Sequence, residues 1–344
     1  MSMLPLARLS AKLTSWATPH LQRWTRNPRL NEEHAERHFQ AGDYAEAERY
    51  YTAAIQEAGR SSKKRLIGLM LQLAEARRRK GDLDGALAAV NDAIGKTGRS
   101  GALYGPCLDA LSLIQSDRGQ PNEALEASRA TLEIARKQRA APALIADRCY
   151  RLAALEQRCK NPKQQMELLQ ESLTLYERVY GAQHVETANR LTDMGVALRN
   201  EGNFTEALVF LERACSTHKQ LLGGNAPEYV SDVEHLAATQ QGLGNVEESA
   251  KLYDRLLRLK ENQLGVDPIP YGHLLVRAAE AYTAAGLNSR AYEAVQQGIR
   301  TLERYRDELS QAGERIAVVL QAVGRLGDSD RFRKRIEAFA AKPA

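Results

Sequence analysis

The sequence predicts an all-α solenoid of about eight consecutive helix-turn-helix repeats, on the strength of its composition, a glycine period and two columns of small residues. Composition is helix-forming: the 344 residues are 26% charged and 6% aromatic, rich in Ala, Leu, Glu, Arg and Gln. A chain of this length exceeds one comfortable core, so it folds as several domains or as one elongated array. The period decides between these. Gly42, Gly81, Gly119, Lys160 standing in for glycine, Gly202, Gly244, Gly286 and Gly327 recur at intervals of 39, 38, 41, 42, 42, 42 and 41.

Each part of the repeat has a physical reason. In Gly42-Asp43-Tyr44-Ala45-Glu46-Ala47 and Gly202-Asn203-Phe204-Thr205-Glu206-Ala207 the glycine closes one helix, because the residue past a helix end often adopts a left-handed conformation. Asp43, Asn203 and Asn245 then stand as N-caps of the second helix, with Glu46, Glu206 and Glu248 three residues on as capping-box partners. Seven residues before the glycine come Ala35, Ala74, Ser112, Ala153, Gly195, Ala237 and Ala279; five after it come Ala47, Ala86, Ala124, Ala207 and Ala291, with Gln165, Ser249 and Phe332 as exceptions. Small residues in both columns let the paired helices approach closely. Larger apolar residues, Tyr51, Val90, Leu169, Leu211, Tyr253 and Val295, fill the space beside them. One pair cannot bury such a face, so neighbouring pairs must stack.

These residues resemble the tetratricopeptide repeat (TPR) family over residues 31 to about 340, with a period of about 42 residues similar to that of kinesin light chain. The middle of the chain carries the likeness best: Leu175-Tyr176-Glu177-Arg178-Val179-Tyr180-Gly181 precedes His184, and Gln220-Leu221-Leu222-Gly223-Gly224 precedes Pro227. Leu264-Gly265-Val266-Asp267-Pro268 repeats the linker. The opening Trp and closing Pro of the shorter TPR consensus are absent. The last unit has Leu320 and Phe332 where small residues belong, and reads as a degenerate cap.

The resemblance implies a right-handed superhelix whose inner wall is lined by the first helix of each pair, where extended or helical peptide segments bind. By family analogy the groove presents Glu32, Glu36, Glu75, Arg78, Arg79, Tyr150, Gln157, Arg158, Asn189, Thr192, Arg199, Asn200 and Glu234. Glu32 and Glu36 occupy the first-unit positions where some members clamp a carboxylate with basic residues, which argues against that clamp here. Arg78, Arg79, Arg158 and Arg199 read either as solvated surface charges or as contacts for an acidic segment of a protein partner.

The flanks differ from the body. Residues 1–30 hold Arg8, Lys12, Arg23, Arg26 and Arg29 and no acid, which leaves the remaining chain with 43 Lys+Arg against 43 Asp+Glu. A neutral body argues against nucleic acid, whose binding needs concentrated positive charge. Leu6, Leu9, Leu13 and Trp16 lie at helical spacing in that basic segment, which suits a docking helix, a disordered tail, a helix on an anionic membrane surface or partner or, in a eukaryote, a mitochondrial presequence. Residues 341–344 form a tail. No segment approaches the roughly 20 apolar residues of a membrane span, and no signal peptide is evident, so the chain is expected in the cytoplasm.

Chemistry-bearing motifs are scarce. Cys107, Cys149, Cys159 and Cys215 have no metal or redox spacing and read as buried thiols. His34 and His38 lie four apart, as two metal ligands would, but Arg37 beside them and the lack of a third ligand favour packing. No phosphate loop, nucleophile elbow or acidic cluster is present. The chain therefore reads as a non-catalytic binding scaffold or adaptor, with no cofactor or metal expected; the alternative is a membrane-surface assembly factor anchored or targeted by the basic segment, and a peptide-sensing regulator or an enzyme fits the sequence less well.

Overall fold

The computed structural model describes residues 28–58, 62–98, 101–261 and 267–340. Among them stand seventeen helices and no strand. The chain divides into two compact units between Leu168 and Leu169. In the first lie α1 (Pro28–Gln40), α2 (Tyr44–Glu57), α3 (Lys63–Lys80), α4 (Leu83–Thr97), α5 (Tyr104–Asp117), α6 (Pro121–Lys137) and α7 (Pro142–Arg158). Helix α8 (Pro162–Tyr180) contains the division. The second unit continues with α9 (Val185–Asn200), α10 (Phe204–Leu222), α11 (Pro227–Gly242), α12 (Val246–Glu261), α13 (Pro268–Ala284), α14 (Asn288–Leu302), α15 (Arg306–Gln311), α16 (Gly313–Ala322) and α17 (Leu326–Ala340). Residues 28–30, read from the sequence as the end of the basic segment, stand in α1. Residues 1–27 of that segment, like the tail at 341–344, lie outside the described residues.

Eight turns of one design join the helix pairs. In each, the left-handed residue donates its N–H to the carbonyl three residues back and the next residue donates to the carbonyl five back. Gly42 thus bonds Phe39 at 3.0 Å and Asp43 bonds His38 at 2.9 Å, and the same two bonds close the turns at Gly81, Gly119, Lys160, Gly202, Gly244, Gly286 and Gly324. Lys160 holds φ at +58°, the glycine role without the glycine.

The final turn corrects the sequence reading. Its left-handed glycine is Gly324 (φ +80°), three residues before Gly327, which lies inside α17. With that register Ala317 and Ser329, at 0% and 1% exposure, occupy the small-residue columns, and the degeneracy read at Leu320 and Phe332 came from the misplaced turn. What does depart from the pattern is the short helix α15 between the seventh and eighth pairs.

The columns set the helix contacts. Ala35, Ala47, Ala74 and Ala86 are all at 0–1% exposure, as are Ala153, Ala207, Ala237, Ala279 and Ala291. A Cβ added at Gly195 would stand 2.6 Å from Leu211 Cγ and 3.2 Å from the Ala207 carbonyl oxygen, so glycine is the one residue that fits. Where serine replaces alanine its hydroxyl donates across the pair: Ser112 to the Ala124 carbonyl, Ser249 to Ala237 and Ser329 to Ala317, each at 2.9 Å. A buried hydroxyl is tolerated because it finds this partner.

The predicted capping boxes form only in part. Asp43 accepts from the Glu46 N–H at 3.3 Å, but the Glu46 carboxylate turns to Arg49. Asp82, unremarked in the sequence, caps α4 through Gly85 at 2.9 Å, whereas Asn203 makes no side-chain cap and Asn245 bonds the Gln240 side chain. The helix starts rest more on the backbone turn than on the cap.

Candidate protein-binding surface

The first helices of successive pairs are joined by polar contacts roughly one repeat apart. In the first unit Glu32 of α1 pairs with Arg65 of α3 at 2.8 Å, Arg78 of α3 with Asp117 of α5 at 2.5 Å, and Asp109 of α5 with Arg148 of α7 at 2.7 Å. The second unit repeats the scheme: Thr192 of α9 with Asp232 of α11 at 2.6 Å, Glu234 of α11 with Arg277 of α13 at 2.5 Å, and Glu280 of α13 with Arg315 of α16. Each unit therefore presents a wall of first helices with its own charge ladder.

The sequence-predicted residues fall on these walls, divided between the units. Glu75, Arg78 and Arg79 lie on α3 and Tyr150, Gln157 and Arg158 on α7 of the first unit; Asn189, Thr192, Arg199 and Asn200 lie on α9 and Glu234 on α11 of the second. The four arginines do not act as one cluster. Arg78 and Arg79 both lean on the Glu75 carboxylate, at 2.7 and 2.8 Å, and Arg78 also reaches Asp117. The Glu75 hydrogen bonds and the Asp117 charge raise the Arg78 pKa further. These two are structural charges, neutralised by spacings of three, four and 39 residues.

Arg158 and Arg199 differ. Arg158 donates both to the Ser116 hydroxyl and, at 3.2 Å, to the Ser116 carbonyl. Arg199 lies 3.2 Å from His235 Nδ1. Neither guanidinium has a carboxylate within ion-pair distance among the described residues. Burial lowers the pKa of Arg199, and burial together with the Arg199 charge lowers that of His235, which keeps the imidazole neutral and its Nδ1 free to accept. Repeat arithmetic alone did not reveal His235 or Arg277, because their partners sit 36 and 43 residues away rather than at the glycine period.

Behind the second wall lies a buried polar knot. His218 of α10 and Asp232 of α11, both at 1% exposure, meet at 2.6 Å from Nδ1 to Oδ2, while the Thr192 hydroxyl donates to the other Asp232 oxygen. Burial works to lower the His218 pKa, but the Asp232 hydrogen bond and charge outweigh it, so the imidazole titrates above its ordinary value. The hydroxyl of Thr192, a residue the sequence assigns to the groove, ties three helices together.

The remaining motif candidates resolve as packing. His34 and His38 both stack on Tyr50, with ring centroids 5.3 and 5.4 Å apart, and His38 Nδ1 lies 3.3 Å from Asp43. Cys107 and Cys149 are buried, but Cys159 and Cys215 are partly exposed, against the expectation for all four.

A family model described as tetratricopeptide repeat matches residues 144–220, the stretch from α7 to α10. The helical pairs of that stretch match the tetratricopeptide repeat, and the pairs on either side share its fold. Their solved likenesses agree on the fold: BtubC (BKLC) from P. vanneervenii, at 19% identity, covers 68% of this chain and 94% of its own with a TM-score of 0.58. A putative kinesin light chain with nearly identical TPR-like repeats from Podosopora anserina, at 18% identity, covers 60% and 99% with a TM-score of 0.54. A STAND signal-transduction ATPase with a tetratricopeptide sensor from Pyrococcus horikoshii, at 14% identity, covers 85% of this chain and 44% of that one with a TM-score of 0.71. Among curated proteins, human "Tetratricopeptide repeat protein 19, mitochondrial" is 26% identical over 121 residues, which is 35% of this chain and 30% of that protein's length. Tetratricopeptide repeats generally mediate protein–protein interaction, and the fold is typically non-catalytic. No helix of the described residues is long and apolar enough to cross a membrane.

Proposed function

We propose that this chain is a scaffold or adaptor that holds a segment of a partner protein against the first-helix walls of its repeats. The observation that carries this reading is the pair Arg158 and Arg199. Both stand on first helices, and both are held in place by neutral partners, so their charge is presented to whatever lies in front of them. A held but uncompensated guanidinium is pre-organised for a carboxylate, since little side-chain entropy remains to be lost on binding. An acidic partner segment fits that arrangement.

The test is a displayed-peptide selection against the full chain, followed by binding of the selected peptides to three variants. Arg158→Glu and Arg199→Glu alter the walls, and Val209→Glu alters an exposed position on the second helix α10. Loss of binding in at least one arginine variant, with Val209→Glu neutral, supports the reading. Peptides that ignore both arginine variants and respond to Val209→Glu would place binding on the second helices and overturn it.

The acid-free segment at residues 1–30, together with a human relative named as mitochondrial, favours a second reading in which that segment addresses the chain to mitochondria. Fusing it to a fluorescent reporter in a eukaryotic cell tests this; a diffuse signal overturns it.

A further inference from the structure

Between α5 and α7 of the first unit runs a cleft of about 200 Å³. Its sides are Leu113 of α5 and Ala154 and Leu155 of α7, with Ser128 of α6 on its floor. Leu113 is 41% exposed although its neighbours in the helix are buried, so much of a large apolar side chain is left uncovered at the wall. Two of the three serines of the lining are engaged within the unit. Ser112 donates to the Ala124 carbonyl, and the Ser116 hydroxyl is taken by Arg158. The volume lies below the roughly 300–1,000 Å³ of sites that engulf a whole small molecule, and suits a single side chain.

Charge at the mouth is one-sided. Arg151 lines the cleft and has no hydrogen bond or ion pair among the described residues; Arg158 is held only by Ser116. The one acid of the lining, Asp109, is taken by the buried Arg148 at 2.7 Å. An apolar recess under two uncompensated guanidiniums matches an apolar side chain whose chain neighbours are carboxylates, and disfavours one flanked by lysines.

We propose that this cleft is a socket for one large aliphatic side chain of a partner segment, flanked there by acidic residues that meet Arg151 and Arg158. The proposal rests on the wall-binding function above and names what the wall of the first unit selects. The socket sets the position of the segment through the apolar anchor, while the arginines discriminate by charge.

The probes are fluorescein-labelled peptides of Gly and Ser with a central Leu or Ala flanked by Glu, Lys or Ser, titrated into the full chain up to millimolar concentration and followed by anisotropy. Leu between glutamates binds best, Ala at the centre weakens binding about tenfold or more, and lysine flanks abolish it. Ala154→Trp, which fills the cleft from an exposed position, and Arg151→Glu, on the exposed mouth, each remove binding of the Leu–Glu peptide without lowering the melting temperature. No binding by any peptide, or equal binding of Leu and Ala peptides, overturns the socket. Binding that survives Ala154→Trp but is lost in Arg199→Glu overturns the socket and leaves the wall reading standing. Binding untouched by Ala154→Trp, Arg151→Glu, Arg158→Glu and Arg199→Glu alike overturns both.

Discussion

Lys160 and His218 show how single residues here carry conformational or electrostatic work that the repeat pattern only partly announces. The turn design asks for a left-handed residue, and Lys160 supplies it at φ +58°, where a side chain costs roughly 1–2 kcal/mol. Replacing Lys160 with Gly relieves that strain but frees the unfolded chain, so the variant is expected to gain about 0.5–1 kcal/mol in denaturant melts. The stand-in was legible from spacing alone. His218 was not, because nothing in a sequence tells that its partner, fourteen residues on, faces the same buried point. Its pKa is raised in the folded state, so the stability it contributes is fully present below the unfolded value of about 6.5. That contribution is lost as pH rises through the folded value. The melting-temperature difference between wild type and His218→Gln is therefore expected to be largest near pH 6 and to shrink on the alkaline side. Taking the difference removes the background of Asp193, whose pKa burial pushes up to about 6 against the pull of Arg190.

At the level of the helical pair, the period and the two columns predict nearly everything about packing, because close approach forces small residues into fixed positions. Gly195 states the requirement most sharply. Gly195→Ala drives a Cβ into Leu211 and the Ala207 carbonyl and is expected to cost about 1–3 kcal/mol, while Gly224→Ala, with nothing within 4 Å, is expected to be neutral. Thermal melts of the two variants side by side check this. The last pair was misread for a local reason: Leu326-Gly327 imitates the start of the motif, and the true turn residue, Gly324, has Arg325 rather than an Asp or Asn behind it. Ala317→Leu is accordingly expected to destabilise the chain by a similar amount, which the earlier register would not require. The polar ladder between first helices was invisible to column reading, since its partners lie at spacings from 33 to 43 residues and alternate in sign.

For the molecule as a whole, the fold class was open to sequence and the polar contacts along the first helices were not. Family analogy chose residues that stand on first helices, but it could not say that Arg78 and Arg79 are neutralised while Arg158 and Arg199 are not. That depends on which neighbour faces each guanidinium. Nor did the sequence mark the division between Leu168 and Leu169, which falls within a helix rather than in a Pro- or Gly-rich linker. Stability in such an array is a sum of nearest-neighbour terms. Deleting residues 313–344 strips Ile316, Val319, Leu320 and Phe332 from the cluster that also holds Leu302 and Leu309, both at 0% exposure. The truncated chain is expected to melt lower and to bind a hydrophobic dye such as ANS. A melting curve and dye fluorescence unchanged from the full chain would show that the eighth pair does not cover the seventh.

The ladder along the first helices has a consequence for how this chain can change. Arg78 is answered by Asp117 and Glu280 by Arg315, so each repeat carries the complement of the one beside it and not of repeats in general. Two units exchanged in order, or one copied in place, would set arginine against the wrong neighbour even though every glycine and alanine still matched. The repeats are alike in shape yet individually addressed, and substitutions on the wall are expected to travel in pairs about one repeat apart.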